Sequence, residues 1–344
     1  MMTGETGEFE LIDRLRERLR DAGLPIGPGD DAAMLPPSIG PVVTVDTSVE
    51  GVHFPSGWDD PAGISRRALA VALSDLAAMG AEAGQVLVAL GTSPDREAEF
   101  WFSLADSMVE ATGEFGVDLA GGDVVASPLL FLSVTALGSI PDGQAPVTRA
   151  GASPGDLVAV TGCFGGARMG LLLHERPVYE AVPGVDPDPR MAPLTEARRL
   201  LLERYLGPVP RLAAGVAFGR HGASAMIDVS DGLLADLGHL ARESGVRIEL
   251  ADGSIPVDPL LEPIREDFGG ADLTPLALTG GDDYELALTF PPDRLDELRE
   301  AATGSEVELT VIGSVVEGEG VSLPTDLENP RSGLFRDPGF EHRF

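Results

Sequence analysis

Six short acidic motifs, each set against apolar runs and glycines, constrain this chain more than any other feature. They are GPGDDAA around Asp31, TVDT around Asp46, LSDLAAMG around Asp75, GGD at Asp123, DVSDG at Asp228 and Asp231, and GGDDYE at Asp282. Burying an ionised carboxylate without a partner costs on the order of several kcal/mol. A fold that repeatedly seats Asp beside hydrophobic strands must therefore bring a cation to it, and hard oxygen ligands of this kind suit Mg2+ or Mn2+. Asp46 and Asp123 each follow an apolar run (VVTVD, VDLAGGD), which predicts positions at strand ends, where α/β sheets bind ligands. The alternative for any one of these residues is a turn-capping Asp that satisfies local amides.

The pattern between the motifs predicts α/β or α+β layers. Phe9, Ile12, Leu15 and Leu19 fall at helical spacing ahead of the GPGDDAA turn. Strands are predicted at 42–46, 85–90, 117–120 and 129–137, with helices over 61–80 and 94–115. A turn-rich stretch, PDGQAPVTRAGASPGD, marks a domain boundary near 148–155. The second half alternates strands (157–161, 225–228, 246–250, 284–290, 307–312) with helices (195–205, 209–220, 232–244, 292–302). Residues 176–193, rich in Pro and Asp, read as a long loop. At 344 residues and 43% hydrophobic the chain can fill two cores, with domains at 1–150 and 151–344.

Charge narrows the chemistry. The net charge is −32, and the 24 basic residues are all arginines. Without lysine there is no P-loop lysine, no protein-kinase strand lysine and no Schiff-base amine. With no basic run, binding to nucleic acid or an anionic membrane is not expected. Genome bias or a salt-rich cytoplasm accounts for an acidic surface in general, but not for Asp set among strands and glycines. The single Cys163 excludes an intramolecular disulfide and a cysteine-based zinc site, and with no charged sequence neighbour it reads as a small core residue. No segment resembles a signal peptide or reaches 18 apolar residues, so the expected location is the cytoplasm.

Several motifs carry two readings each. In DVSDG, Ser230 or Asp231 is placed to N-cap the following helix, or to serve a site holding both cation and phosphate at the helix N-terminus. GGDDYEL is either a tight turn or a close backbone approach to a ligand. Arg149, the one basic side chain between Arg96 and Arg168, either grips phosphate bidentately or forms a structural ion pair. His53, seven residues after Asp46, is either a satisfied loop histidine or part of a substrate site.

Taken together, GEFELI, GDDAA, VDTSVEGVHF, LSDLAAMGA, GGD, TRAGASPGD, IDVSDGL, GGDDYEL and the terminal GFEHRF resemble, in wording and order, the thiamine-monophosphate kinase family. That family belongs to the aminoimidazole ribonucleotide synthetase-like superfamily, and the resemblance spans residues 8–344. It implies a two-domain synthetase-like α/β fold, with an N-terminal ATP- and Mg-binding domain that pairs into a β-barrel across a homodimer. The C-terminal α/β domain would complete the nucleotide and substrate site.

The implied activity is ATP-dependent phosphorylation of thiamine monophosphate to thiamine diphosphate, with several Mg2+ ions and no protein nucleophile. By the same resemblance the metal ligands are Asp31, Asp46, Asp75, Asp123, Asp228 and Asp231, assisted by Thr44 and the backbone of Val45. Gly122, Asp123, Arg149 and Ser230 would contact ATP, and His53, Asp282 and Phe340 the thiamine phosphate. Asp282 stands where many members carry Glu, and Phe340 where others carry Tyr or Trp. The alternatives are another ATP-using synthetase of the superfamily and a noncatalytic cation- or nucleotide-binding protein.

Overall fold

The computed structural model describes residues 32–34, 41–175, 192–268, 270 and 272–323. The N-terminal helix expected around Phe9, the proposed ligand Asp31, most of the 176–193 stretch and Phe340 lie outside these residues. The chain forms two compact units. Among the described residues, one comprises 32–34, 41–148 and 209–223, the other 149–175, 192–208, 224–268, 270 and 272–323.

In chain order the first unit contains β1 (Ala33–Met34), β2 (Val42–Val49), α1 (Pro61–Ala78), β3 (Glu82–Thr92), α2 (Ala98–Phe115), β4 (Asp118–Ala126) and β5 (Phe131–Ser139). The second opens with β6 (Leu157–Thr161), α3 (Gly166–Glu175) and α4 (Ala192–Leu206), after which α5 (Leu212–Arg220) returns to the first unit. The second unit then continues through β7 (Ala225–Val229), α6 (Leu233–Ser244), β8 (Arg247–Leu250), a 3-10 helix (Pro259–Phe268), α7 (Thr274–Thr279), β9 (Glu285–Phe290), α8 (Leu295–Gly304), β10 (Leu309–Val316) and β11 (Gly320–Ser322).

The first unit is a five-stranded sheet in the order β1-β2-β5-β3-β4. β5 runs antiparallel between β2 and β3, and β4 lies parallel to β3 after the α2 crossover. Pro61 opens α1 at a position where its missing amide costs nothing, and the Asp60 side chain accepts from Gly63 N at 3.1 Å. The buried face of α1 (Leu69, Leu73, Leu76) packs on Leu132, Val134 and Ala136, the alternate residues of β5. On β2 the same alternation turns Val42, Thr44, Asp46 and Ser48 toward the helix and leaves Val45 62% exposed on the other face.

The second unit is a six-stranded sheet in the order β11-β8-β10-β6-β9-β7, antiparallel throughout except where β11 joins β8. Every residue of β7 (AMIDV) and β9 (ELALTF) is buried, as their near-continuous apolar runs require. Leu233, Leu237, Leu240 and Ala241 of α6 complete that core.

Two sequence expectations need correction. Asp46 and Asp123 are not at strand ends: β2 continues through Thr47–Val49, and β4 runs from Asp118 across both glycines to Ala126. Thr, Ser and Val keep the pleated pattern going, and on β4 all nine residues are exposed, so the acidic residue interrupts nothing that must be buried.

Candidate functional site

The DVSDG segment begins inside β7 and supplies its last two residues, Asp228 and Val229. Asp228, 4% exposed, is the penultimate residue of a strand that is otherwise wholly apolar. The chain then turns through Ser230 and Asp231 into α6, whose N-cap is Gly232 and makes no side-chain cap. The N-cap position therefore falls to neither Ser230 nor Asp231. Asp236, from inside the first turn, instead reaches back to the loop ahead of the helix: its Oδ2 accepts the amides of Ser230, Asp231 and Gly232 at 3.1, 3.1 and 3.2 Å. Asp236 is not among the sequence-predicted site residues; its one signal there is an acidic residue in the first turn of a predicted helix, four places after a glycine.

Burial pushes the Asp236 carboxyl well above the ordinary carboxylate range. The charges of Asp231 and Asp228 push the same way, while Arg149 and the Asp231 amide oppose them. Arg149, Asp228 and Asp231 thus share one neighbourhood around Asp236. The backbone of the TRAGAS segment is held at the opposite, C-terminal end of α6 by Ser244, whose hydroxyl donates to Arg149 O (2.9 Å) and accepts from the Gly151 and Ala152 amides (3.2 Å each), so that Arg149 acts on Asp236 through its side-chain charge.

The GGDDYE turn lies against the same loop. Asp282 N donates to Ser230 O, and Tyr284 N to Val229 O, each at 2.8 Å. A Cβ on Gly281 would stand 2.4 Å from Ser230 O, so the close approach this glycine permits is to the protein's own carbonyl. Asp282 adopts left-handed backbone (φ +69), with Tyr284 Oη donating to its Oδ1 at 3.2 Å. Asp283 accepts from the amides of Gly165 (3.1 Å) and Ala167 (3.5 Å) at the start of α3. Burial pushes its carboxyl well up, those amides oppose the rise, and Glu285 and Asp282 add to it.

Two further buried carboxylates sit nearby. Glu285 Oε2 takes the Thr161 hydroxyl at 2.6 Å, and Asp258 lies 3.4 Å from Arg204 Nε. Cys163 is half-buried, and its thiol is pushed up to about 12 by burial and by Asp258, which disqualifies it as a nucleophile.

In the first unit, Thr44 Oγ1 donates to Asp75 Oδ2 at 2.5 Å, joining β2 to α1, and Asp46 follows two residues later on the same face. Asp46 stands level with Val134, Val88 and Gly122 on successive strands, about 14 Å across at about 4.8 Å per strand. Asp123 is one residue further along β4, on the opposite face, with Val124 N donating to its Oδ1 at 2.9 Å. Within this unit the sheet therefore groups Thr44, Asp46 and Asp75 but holds Asp123 apart. A Cβ on Gly122 would fall 2.0 Å from Val88 O, so only glycine lets β4 pair at this point.

His53 closes a tight turn after β2. Val49 N donates to its Nδ1 at 3.1 Å, which places the proton of the neutral ring on Nε2. The turn is anchored by buried Arg67, donating to His53 O at 3.2 Å, and by Glu50 paired with Arg96 at 2.8 Å, with the Arg96 guanidinium 4.1 Å over the Phe100 ring. Burial alone would raise the Glu50 carboxyl; the Gly57 amide and Arg96 outweigh it and hold it below the usual range.

These donor sets fit a divalent hard cation. Asp228, Asp231 and Asp236 repel one another in a desolvated setting, which a bound Mg2+ would offset, and Thr44, Asp46 and Asp75 offer oxygens only. Among the described residues, Asp231, Asp236 and His239 bring one ligand atom each within 4.8 Å of one another. Asp236 Oδ2 is already committed to three amides, however, and His239 Nδ1 lies 3.2 Å from the Arg242 guanidinium.

Comparison with known proteins fits this geometry. Residues 29–140 match the family described as AIR synthase related protein, N-terminal domain, and residues 154–326 match its C-terminal domain. The chain is 38% identical over 288 residues to the thiamine-monophosphate kinase of Mycobacterium tuberculosis, covering 83% of this chain and 81% of that one. Against the Escherichia coli K12 enzyme of the same name the figures are 36% over 315 residues and 90% of each. A solved structure, AaThiL complexed with AMPPCP and TMP, superposes with a TM-score of 0.82 at 29% identity over 99% of both chains.

Proposed function

The chain belongs to the thiamine-monophosphate kinase family, built from the two AIR synthase related domains, and from that premise we propose that it transfers the γ-phosphoryl group of ATP to thiamine monophosphate by direct in-line displacement, yielding thiamine diphosphate and ADP. The observation that carries the reading is the DVSDG loop: two carboxylates and an arginine in one neighbourhood, on backbone held from two sides, in a chain without lysine.

The acceptor is itself a phosphate monoester with a second pKa of about 6, so near neutral pH it is largely ionised and needs no strong general base. The protein's work is to align two anions and neutralise their charge. Asp31, Asp46, Asp75, Asp123, Asp228 and Asp231, with Thr44 and the backbone of Val45, are the residues to hold Mg2+. Bound there, the ions would screen both phosphates and stabilise the oxygens of a loose transition state. Arg149, Ser230, Gly122 and Asp123 would hold ATP, with Arg149 supplying the fixed positive charge. His53, with its Nε2 proton, Asp282 and Phe340 would hold thiamine monophosphate.

Residues 1–150 would act as the ATP- and Mg-binding and dimerisation domain, and residues 151–344 would contribute Asp228, Ser230, Asp231 and Asp282. A homodimer whose N-terminal sheets pair into a barrel would cover a face that exposes Val45, Leu87 and Val125, beside an edge strand exposed along its whole length. No helix among the described residues is long and apolar enough to cross a membrane; a cytoplasmic enzyme using small-molecule substrates is the reading that goes with these assignments.

Incubation with ATP, Mg2+ and thiamine monophosphate should give ADP and thiamine diphosphate in equal amounts. ADP without thiamine diphosphate, or neither product from low to high salt, would overturn the assignment.

A further inference from the structure

Successive backbone amides that converge on one point form a nest for an anion, and at the start of a helix such a nest ordinarily holds phosphate. Here the amides of Ser230, Asp231 and Gly232 converge on a single oxygen of the chain's own Asp236, a side chain 3% exposed. From the other side, Asp282 N and Tyr284 N bond to the carbonyls of Ser230 and Val229, and Gly281 leaves no room for the loop to retreat. The backbone between Asp228 and Gly232 is thus fixed on both flanks, which leaves the Asp228 and Asp231 carboxylates in a set attitude.

We propose that Asp236 is a positioning residue of the phosphoryl-transfer site: it fills the amide nest that phosphate would otherwise occupy and so holds the Asp228 and Asp231 carboxylates for the divalent cation. The inference rests on the reading of those two residues as Mg2+ ligands. It makes Asp236 neither a ligand nor a contact of the nucleotide, because the oxygen that faces the loop is committed to three donors.

The test compares Asp236→Ala and Asp236→Asn in the full chain. The probe is Mn2+, its binding followed by electron paramagnetic resonance in the presence of a nonhydrolysable ATP analogue, with steady-state kinetics alongside. Asp236→Ala empties the nest and should weaken Mn2+ binding by about tenfold or more, the usual range for removing a group that orients metal ligands. It should lower kcat similarly while leaving the KM for thiamine monophosphate within about twofold.

Asp236→Asn keeps an oxygen in the nest and should recover most of the Mn2+ affinity. Wild-type Mn2+ binding by the folded fraction of Asp236→Ala would overturn the proposal, as would Asn losing as much affinity as Ala, which would make the charge the contribution. Should the Ala variant fail to fold, a loss of about tenfold or more in the Asn variant overturns it equally. A wild-type protein that binds Mn2+ but forms no thiamine diphosphate would instead sink the kinase reading and leave the positioning comparison intact.

Discussion

The acidic motifs of the two units share a sequence style and differ in physical setting. In the second unit, Asp228 lies one residue before the end of a wholly buried strand, and the loop after that strand is tied by Asp236 on one flank and by the GGDDYE amides on the other. In the first unit, Asp46 and Asp75 are half-buried between β2 and α1, and Asp123 sits exposed on an edge strand. The contrast separates two ways of preparing a metal ligand. One relies on the protein's own amides and burial, at the cost of pushing up the supporting carboxyls of Asp236 and Asp283. The other relies on strand register, and leaves part of the surface open for something to cover.

The sharpest way to break that contrast is to neutralise one carboxylate on each side. Asp46→Asn and Asp228→Asn should each lower kcat on the order of 100-fold or more, with unchanged circular dichroism, because each removes charge that the transition state uses. Loss of fold in Asp228→Asn, with native activity in its folded fraction, would make that residue structural and leave catalysis to the first unit.

Stability should divide along the same line. Leu288→Ala, in the middle of buried β9, should cost about 2–5 kcal/mol in denaturant unfolding. Val124→Ala, at a position 67% exposed on β4, should fall within about 0.5 kcal/mol. A large cost at Val124 would mean that β4 is already covered in solution, and sedimentation of Val125→Asp against wild type would then show whether a second copy covers it.

A smaller effect should appear in pH dependence. Asp283 has a folded-state pKa raised above its unfolded value of about 3.9, so between those two values the folded state binds more protons and stability falls as pH rises. Asp283→Asn should remove that component, so its stability relative to wild type should increase from about pH 4 upward. Denaturation across this range would refute the point if the variant lost relative stability with rising pH.

Much of this contrast was legible in the sequence. β6 falls at the predicted 157–161, and the apolar runs of β7 and β9 announce strands buried on both faces. The register of Asp46 and Asp123 was not legible, because Thr-Ser-Val and Val-Val-Ala continue a strand as readily as they follow one, and only the pairing with β5 and β3 decides. Asp236 was hidden for a different reason. An acidic residue in a first helical turn ordinarily complements the helix dipole from the surface, and only tertiary closure brings it under three amides. The 3-10 helix at Pro259–Phe268 and the short α7 also escaped, since neither shows a full helical period.

The central claim is that aligned carboxylates, one arginine and backbone amides let phosphate pass directly from ATP to a phosphate acceptor, with no protein nucleophile. The stereochemical course at phosphorus, read with ATP made chiral at the γ-position by oxygen isotopes and sulfur, tests this directly. A single in-line displacement predicts inversion in the thiamine diphosphate formed; retention would require a phosphoenzyme and would contradict the account.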